Sequence, residues 1–179
     1  MNDKKAQTRE RILQAASAAL IQHGPAEPSV SEVMAAAGLT VGGFYAHFES
    51  KDALMLEAFK QLLAQRRAKI EEVDNELDGE ARRALIAAFY LSRKHRDAVD
   101  HACPLPAVIG EIGSLPACFR EALNEHVELM VAQLAASPED TDKALADIAL
   151  MIGGLAVARA LGPGELSDRL LRAAKSAVR

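Results

Sequence analysis

The chain is predicted to be all-helical. Apolar residues recur at steps of three and four through every long periodic segment. Glycine, proline and capping residues fall between those segments in the order that stops one helix and starts the next. No stretch alternates apolar with polar over the length of a strand, and no segment repeats another.

Residues 4–23 place Ile12, Ala16, Ala19 and Leu20 on one helical face, and Gly24-Pro25 stops them. Ser29-Val-Ser-Glu32 is a capping-box pattern that opens a short helix through Val33, Met34 and Ala37, ended by Gly38. Thr40 is expected to cap a second short helix over 41–47. Ser50 is expected to cap a longer one, whose stripe Leu54, Ala58, Leu62 and Gln65 is widened by Met55 and Phe59. After a polar connection at 73–79, helices are predicted over 80–101, 105–112, 116–136, 139–161 and 165–178. Cys103-Pro104-Leu105-Pro106, Gly113 to Pro116, Ser137-Pro138 and Gly162-Pro163-Gly164 separate them.

At 179 residues, half apolar and 26% charged, the chain can bury a globular core in one or two small domains. The expected division is 1–50 and 51–179. The apolar stretch Ala144 to Leu161 is interrupted by Asp147, Gly153, Gly154 and Arg159, and no run reads as a bilayer span. MNDKKAQTRERI lacks the apolar centre of a signal peptide. A cytoplasmic protein without membrane association is expected. Cys103 and Cys118 fit neither a CxxC nor a zinc-finger spacing and are expected to be thiols. The formal net charge is −4, and residues 1–60 hold six basic against seven acidic side chains. Any binding to nucleic acid must rest on where charge is placed.

Ser29 to Phe48 reads as a helix-turn-helix: a capped short helix, a turn at Gly38-Leu39-Thr40 and a second short helix. In that motif the second helix enters the major groove, with its N-terminal residues toward bases and phosphates. Gly42 and Gly43 allow a close backbone approach, at about 1 kcal/mol each in helix stability. Phe44 and Phe48 share a face and anchor the weak helix. Tyr45 and His47 lie on other faces; their polar tips, with Thr40, Ser50 and Lys51, can reach phosphate oxygens.

TRERILQAA, the following HG and VSEVMAAAGLTVGGFYAHFESKDAL make residues 8–56 resemble the DNA-binding domain of the tetracycline-repressor (TetR) family of transcription regulators. Met34 departs from the small residue common there, which suggests different packing beneath the recognition helix. The resemblance implies that Thr40, Val41, Gly42 and Gly43 present that helix, and that Ser29, Tyr45, His47 and Lys51 hold phosphates. It implies that Lys4, Lys5 and Arg9 reach the adjoining backbone or minor groove of a double-stranded, palindromic operator. Residues 52–179 match that family only in architecture, which implies a helical domain for an effector and for dimerisation.

In the last two helices Leu145, Ile148, Ile152 and Leu155, then Leu166, Leu170 and Ala174, supply apolar faces. Ala149, Gly153, Ala156 and Ala160 widen the first of these enough for another helix to approach closely. The resemblance implies a two-fold interface there. Phe59, Leu63, Phe89, Leu105 and Ile109 are candidate linings of an apolar effector cavity. Phe119, Leu123, Met130, Met151 and Leu155 complete that set, although Met and aromatic residues at helical spacing are more often plain core.

Two other classes are open to this sequence. His101 beside Cys103 suggests a redox or electrophile sensor, or a thiol enzyme, but no third orienting residue is apparent and a small buried side chain is the plainer reading. A helical ligand-binding module without specific DNA binding is the other rival. His95, His101, Cys103, Cys118 and His126 fit no closed zinc pattern. No catalytic residue, metal or cofactor is expected.

Overall fold

The computed structural model describes residues 2–73, 77, 79–98 and 102–178, and among them it contains helices and turns but no strand. The chain forms two compact units by packing. The first comprises residues 1–63 and 99–120, the second 64–98 and 121–179. The division by packing falls between residues 63 and 64, inside a helix.

In the first unit α1 (Asn2–His23) buries Ile12, Leu13, Ala16, Leu20 and Ile21. It ends at Gly24, whose N–H donates to the Leu20 carbonyl at 3.0 Å with φ +75°. A Cβ there would lie 2.7 Å from the Glu111 carboxylate and 3.1 Å from the Ala107 carbonyl, so both conformation and space require glycine. α2 (Val30–Ala36) starts with the full capping box: Ser29 Oγ accepts from the Glu32 N–H at 3.2 Å, and the Glu32 carboxylate accepts from the Ser29 N–H at 2.8 Å. α3 (Lys51–Glu71) opens with the Ala53 N–H donating to Ser50 Oγ at 3.1 Å. Leu54, Met55, Ala58, Phe59, Leu62 and Leu63 then form its buried stripe. α6 (Leu105–Val108) belongs to this unit too and is shorter than predicted, giving way to a 3-10 turn at Ile112–Ser114.

The segment Val41–Ala46 is a 3-10 helix, where an α-helix over 41–47 was expected. Thr40 sits at its N-cap with extended backbone, but its side chain makes no capping hydrogen bond. Uncapped and weakened by two glycines, six residues cannot hold the wider α ladder on their own. The tighter bonds Gly43 N–H to Thr40 O and His47 N–H to Phe44 O replace it.

In the second unit the helix predicted over 80–101 is broken into α4 (Gly79–Tyr90) and α5 (Arg93–Arg96). Ser92 causes the break: its Oγ donates to the Phe89 carbonyl at 2.9 Å and accepts from the His95 N–H at 3.1 Å. α7 (Ala117–Leu134) begins in the first unit and continues into the second. α8 (Thr141–Leu161) and α9 (Glu165–Ala177) pack on each other. A Cβ at Gly154 would meet Ala174 Cβ at 3.0 Å and Leu91 Cδ2 at 3.1 Å, whereas one at Gly153 would meet nothing within 4 Å. Buried charges tie this unit together. Arg83 faces Asp147 at 3.5 Å, and Arg96 donates to both Asp97 and Asp168 at 2.7 Å.

One sequence expectation is corrected here. Pro138–Leu161 is long and apolar enough to cross a membrane, with a mean hydropathy of 1.8, because Asp147 and Arg159 are too few to offset the aliphatic residues between them. Within the folded unit the same helix buries Asp147 against Arg83 and packs along α9.

Candidate nucleic-acid interface

The aromatic pair under the 3-10 segment is its foundation. Phe44 is fully buried and Phe48 nearly so, their rings stacked with centroids 6.0 Å apart. Tyr45 rests edge-on against Phe44 at 5.2 Å, yet is 73% exposed. Thr40, Val41 and Gly42 are exposed as well. Neither Gly42 nor Gly43 has a positive φ. A Cβ on Gly42 would meet nothing within 4 Å, and one on Gly43 only the Met34 Cε at 3.9 Å. The fold itself makes no demand for glycine at either position. Met34 does lie beneath this segment, where the family departure drew attention to packing.

The basic side chains divide into two groups. Lys4 and Lys5 are exposed on the first turns of α1. Arg9, in contrast, grips both carboxylate oxygens of Glu57 at 2.6 Å and lies 4.6 Å above the centre of the Phe48 ring. The hydrogen bond to Glu57 raises its pKa above the ordinary arginine value. Lys51 donates to the Ala26 carbonyl at 2.5 Å and is only partly exposed. Ser29 is engaged with Glu32, whose carboxyl those bonds hold below its usual pKa. Ser50 is exposed while capping α3. His47 is half-buried, with Nδ1 turned inward and without a hydrogen-bond partner among the described residues.

Arg11 was missed by the sequence reading. Its guanidinium donates to the Ala37 carbonyl at 2.6 Å, closing the C-terminal end of α2. Nothing local marks it, because donor and acceptor are 26 residues apart.

The candidate effector residues fall in both units. In the first, Phe59, Leu63, Leu105 and Phe119 are buried, and Phe59 stacks on Phe119 at 5.9 Å; Ile109 is 43% exposed. In the second, Met130, Met151 and Leu155 are buried and Leu123 partly so, while Phe89 is 66% exposed. A cleft of about 790 Å³ opens between α1 and α2, lined by Arg11, Gln14, Gln22, Val33 and Ala36 among others, and none of those ten residues belongs to it. Cys103 is fully buried and Cys118 partly exposed. His101 lies outside the described residues. Among the described residues no three His, Cys, Asp or Glu gather as a metal site.

The candidate dimer residues split by face. Leu145, Ala149, Gly153 and Ala160 are exposed along α8, with Ala156 half-buried, Val157 50% exposed and Leu161 48% exposed beside them. On α9 Leu166 is 65% exposed and Leu170 half-buried. Ile148, Ile152 and Ala174 are buried within the chain.

Residues 12–58 match the bacterial regulatory proteins of the tetR family. The uncharacterized HTH-type transcriptional regulator YerO of Bacillus subtilis is 29% identical over 104 residues, 55% of this chain. That alignment spans about a third, 35%, of the relative's length. Among solved structures, the chain is similar to reduced Escherichia coli NemR at TM-score 0.81 and 21% identity, covering 97% of this chain and 95% of that one. A TetR transcriptional regulator from Chloroflexus aurantiacus is similar at TM-score 0.76 and 26% identity, with 98% and 94% covered. A TetR family regulator from Agrobacterium tumefaciens gives TM-score 0.79 at 19% identity, with 96% and 97% covered. The structural likenesses extend over both helical units.

Proposed function

The chain belongs to the tetR family of bacterial regulatory proteins, and on that premise we propose that it is a dimeric, ligand-responsive repressor of transcription that binds a palindromic operator in the cytoplasm. The observation that carries this reading is the glycine pair. Gly42 and Gly43 sit on an exposed, aromatic-anchored segment where neither backbone conformation nor interior space calls for glycine. The requirement for small residues then comes from outside, from a surface as close as a groove wall. Thr40, Val41, Gly42 and Gly43 present the backbone, and Tyr45, His47, Lys4 and Lys5 reach phosphates. Arg9, Ser29 and Lys51 act mainly by fixing the scaffold, since their polar atoms are already engaged.

Pairing through the exposed stripe of α8 with α9 sets two such segments on half-sites about 34–36 Å apart. α3 starts at the end of the recognition segment and continues into the second unit. An effector that prefers one conformation of the second unit shifts operator affinity only by its difference in affinity for the two states. The full burial of Cys103 disfavours the thiol-sensor alternative.

Selection of bound sequences from random DNA tests the reading. A palindrome is expected, with binding weakened by Tyr45→Ala and by Gly42→Leu. Enrichment of no sequence, or indifference to both substitutions, sinks it.

A further inference from the structure

Helix α7 turns Ala122, His126, Met130 and Leu134 to the interior of the second unit at steps of four, and all are at most 4% exposed. An imidazole in the middle of an apolar stripe needs a reason. Its Nδ1 lies 2.8 Å from Nη1 of Arg67. A guanidinium can only donate, so Nδ1 accepts and the ring proton sits on Nε2. Nε2–H is thus a donor in a side chain that is 0% exposed, and it has no partner among the described residues. A leucine or phenylalanine here would spare the fold a buried, unsatisfied donor.

The surroundings are positive. The Arg67 guanidinium touches the ring. Burial first, then Arg67 and Arg66, hold the His126 pKa down to about 4, so the ring is neutral at physiological pH. Arg66 also lies over the Tyr90 ring, 6.0 Å from its centre. A neutral N–H donor on a ring held by a guanidinium favours an acceptor that is itself negative.

We propose that His126 is the polar anchor of the effector site and that the effector is a small organic acid, its carboxylate accepting from Nε2–H in the field of Arg67. The assignment rests on the ligand-responsive reading above. It supplies what that reading lacks, the chemical class of the ligand. A neutral carbonyl accepts the same bond without the charge attraction, and an ammonium group is repelled, so acids should exceed amides and amides should exceed amines.

Thermal unfolding of the full-length protein tests this with hexanoate and benzoate, each beside its amide and its amine at equal concentration. At least one acid should raise the midpoint in a concentration-dependent way, more than its amide does, with no rise from the amine. His126→Phe should melt no lower than the parent chain and bind that acid about tenfold or more weakly. His126→Gln, which keeps an N–H donor, should retain part of the response, and Arg67→Met should reduce it. Should His126→Phe fail to fold, the Gln and Met variants decide the matter. Equal shifts from acids and amides, no shift at all, or an acid response that survives loss of the donor overturns the proposal. Operator selection is independent of these outcomes. A chain that selects a palindrome but ignores acids keeps its regulator role and loses this assignment. A chain that binds acids through His126 but selects no DNA does the reverse.

Discussion

In the first unit Arg9 holds Glu57 where the two side chains are 41% and 39% exposed, whereas in the second Arg83 faces Asp147 at 4% and 7%. The same contrast runs through both. Arg11, Lys51 and Ser29 close helix ends and loops near the surface of the first unit. Arg96 and His95 are enclosed in the second. Water screens the first set, so each contact adds little and losing one costs little. In the second set desolvation has already been incurred, so removing one partner exposes its full cost. The unit with the helix-turn-helix is thereby a shallow, tolerant scaffold, and the other holds the polar groups on which stability turns.

Asp147→Ala should sharpen this contrast most. Removing the carboxylate that faces the buried Arg83 guanidinium should destabilise the protein by about 3–5 kcal/mol. Replacing both by aliphatic residues should recover much of that loss in urea unfolding.

Gly154→Val comes next. Its Cβ would press on Ala174 and Leu91, at about 1–3 kcal/mol, while Gly153→Ala, facing open space, should not lower monomer stability. If α8 pairs as proposed, size-exclusion chromatography should show Gly153→Glu as a monomer.

Acid should act first on the second unit. His95 and His126 have pKa values lowered to about 3 and about 4, through burial first and neighbouring arginines second. Between those values and the ordinary 6.5 the unfolded chain binds more protons than the native one. Stability should be complete above about pH 6.5 and fall as pH drops toward 4, with a shallower slope in His126→Phe. Glu32 in the first unit has a lowered pKa instead, so its contribution is present above the ordinary carboxylate range and is lost only at stronger acid. Circular dichroism melts across this range separate the two.

The smallest effects should come from the surface clamps. Arg9→Met should cost about 0.2–1 kcal/mol, less at high salt, and leave the selected DNA sequence unchanged. An effect well above that range would mean that stacking on Phe48 carries the clamp.

Much of the recognition region was legible in the sequence. The Ser29 capping box, the Gly24 stop, the Ser50 cap and the Phe44–Phe48 face all depend on residues within four positions of each other. Two local features were misjudged because opposing local forces nearly balance. Gly42-Gly43 and an idle Thr40 tip a predicted α-helix into a 3-10 turn, and Ser92 bonds its own backbone and breaks a helix with good periodicity. His126 was visible only as a possible metal ligand, since its tautomer and its orphaned donor follow from Arg67, which is 59 residues away.

The sequence by itself determined the all-helical class, the helix-turn-helix and the family, because periodicity, caps and glycine stops act over one or two turns of chain. Only the tertiary structure decided which arginine clamps and which stays exposed, which glycine of 153 and 154 is pressed against a neighbour, and which histidine is left holding an unshared proton. Those outcomes depend on segments tens of residues apart meeting at distances of a few ångströms, and no local pattern encodes which segments will meet.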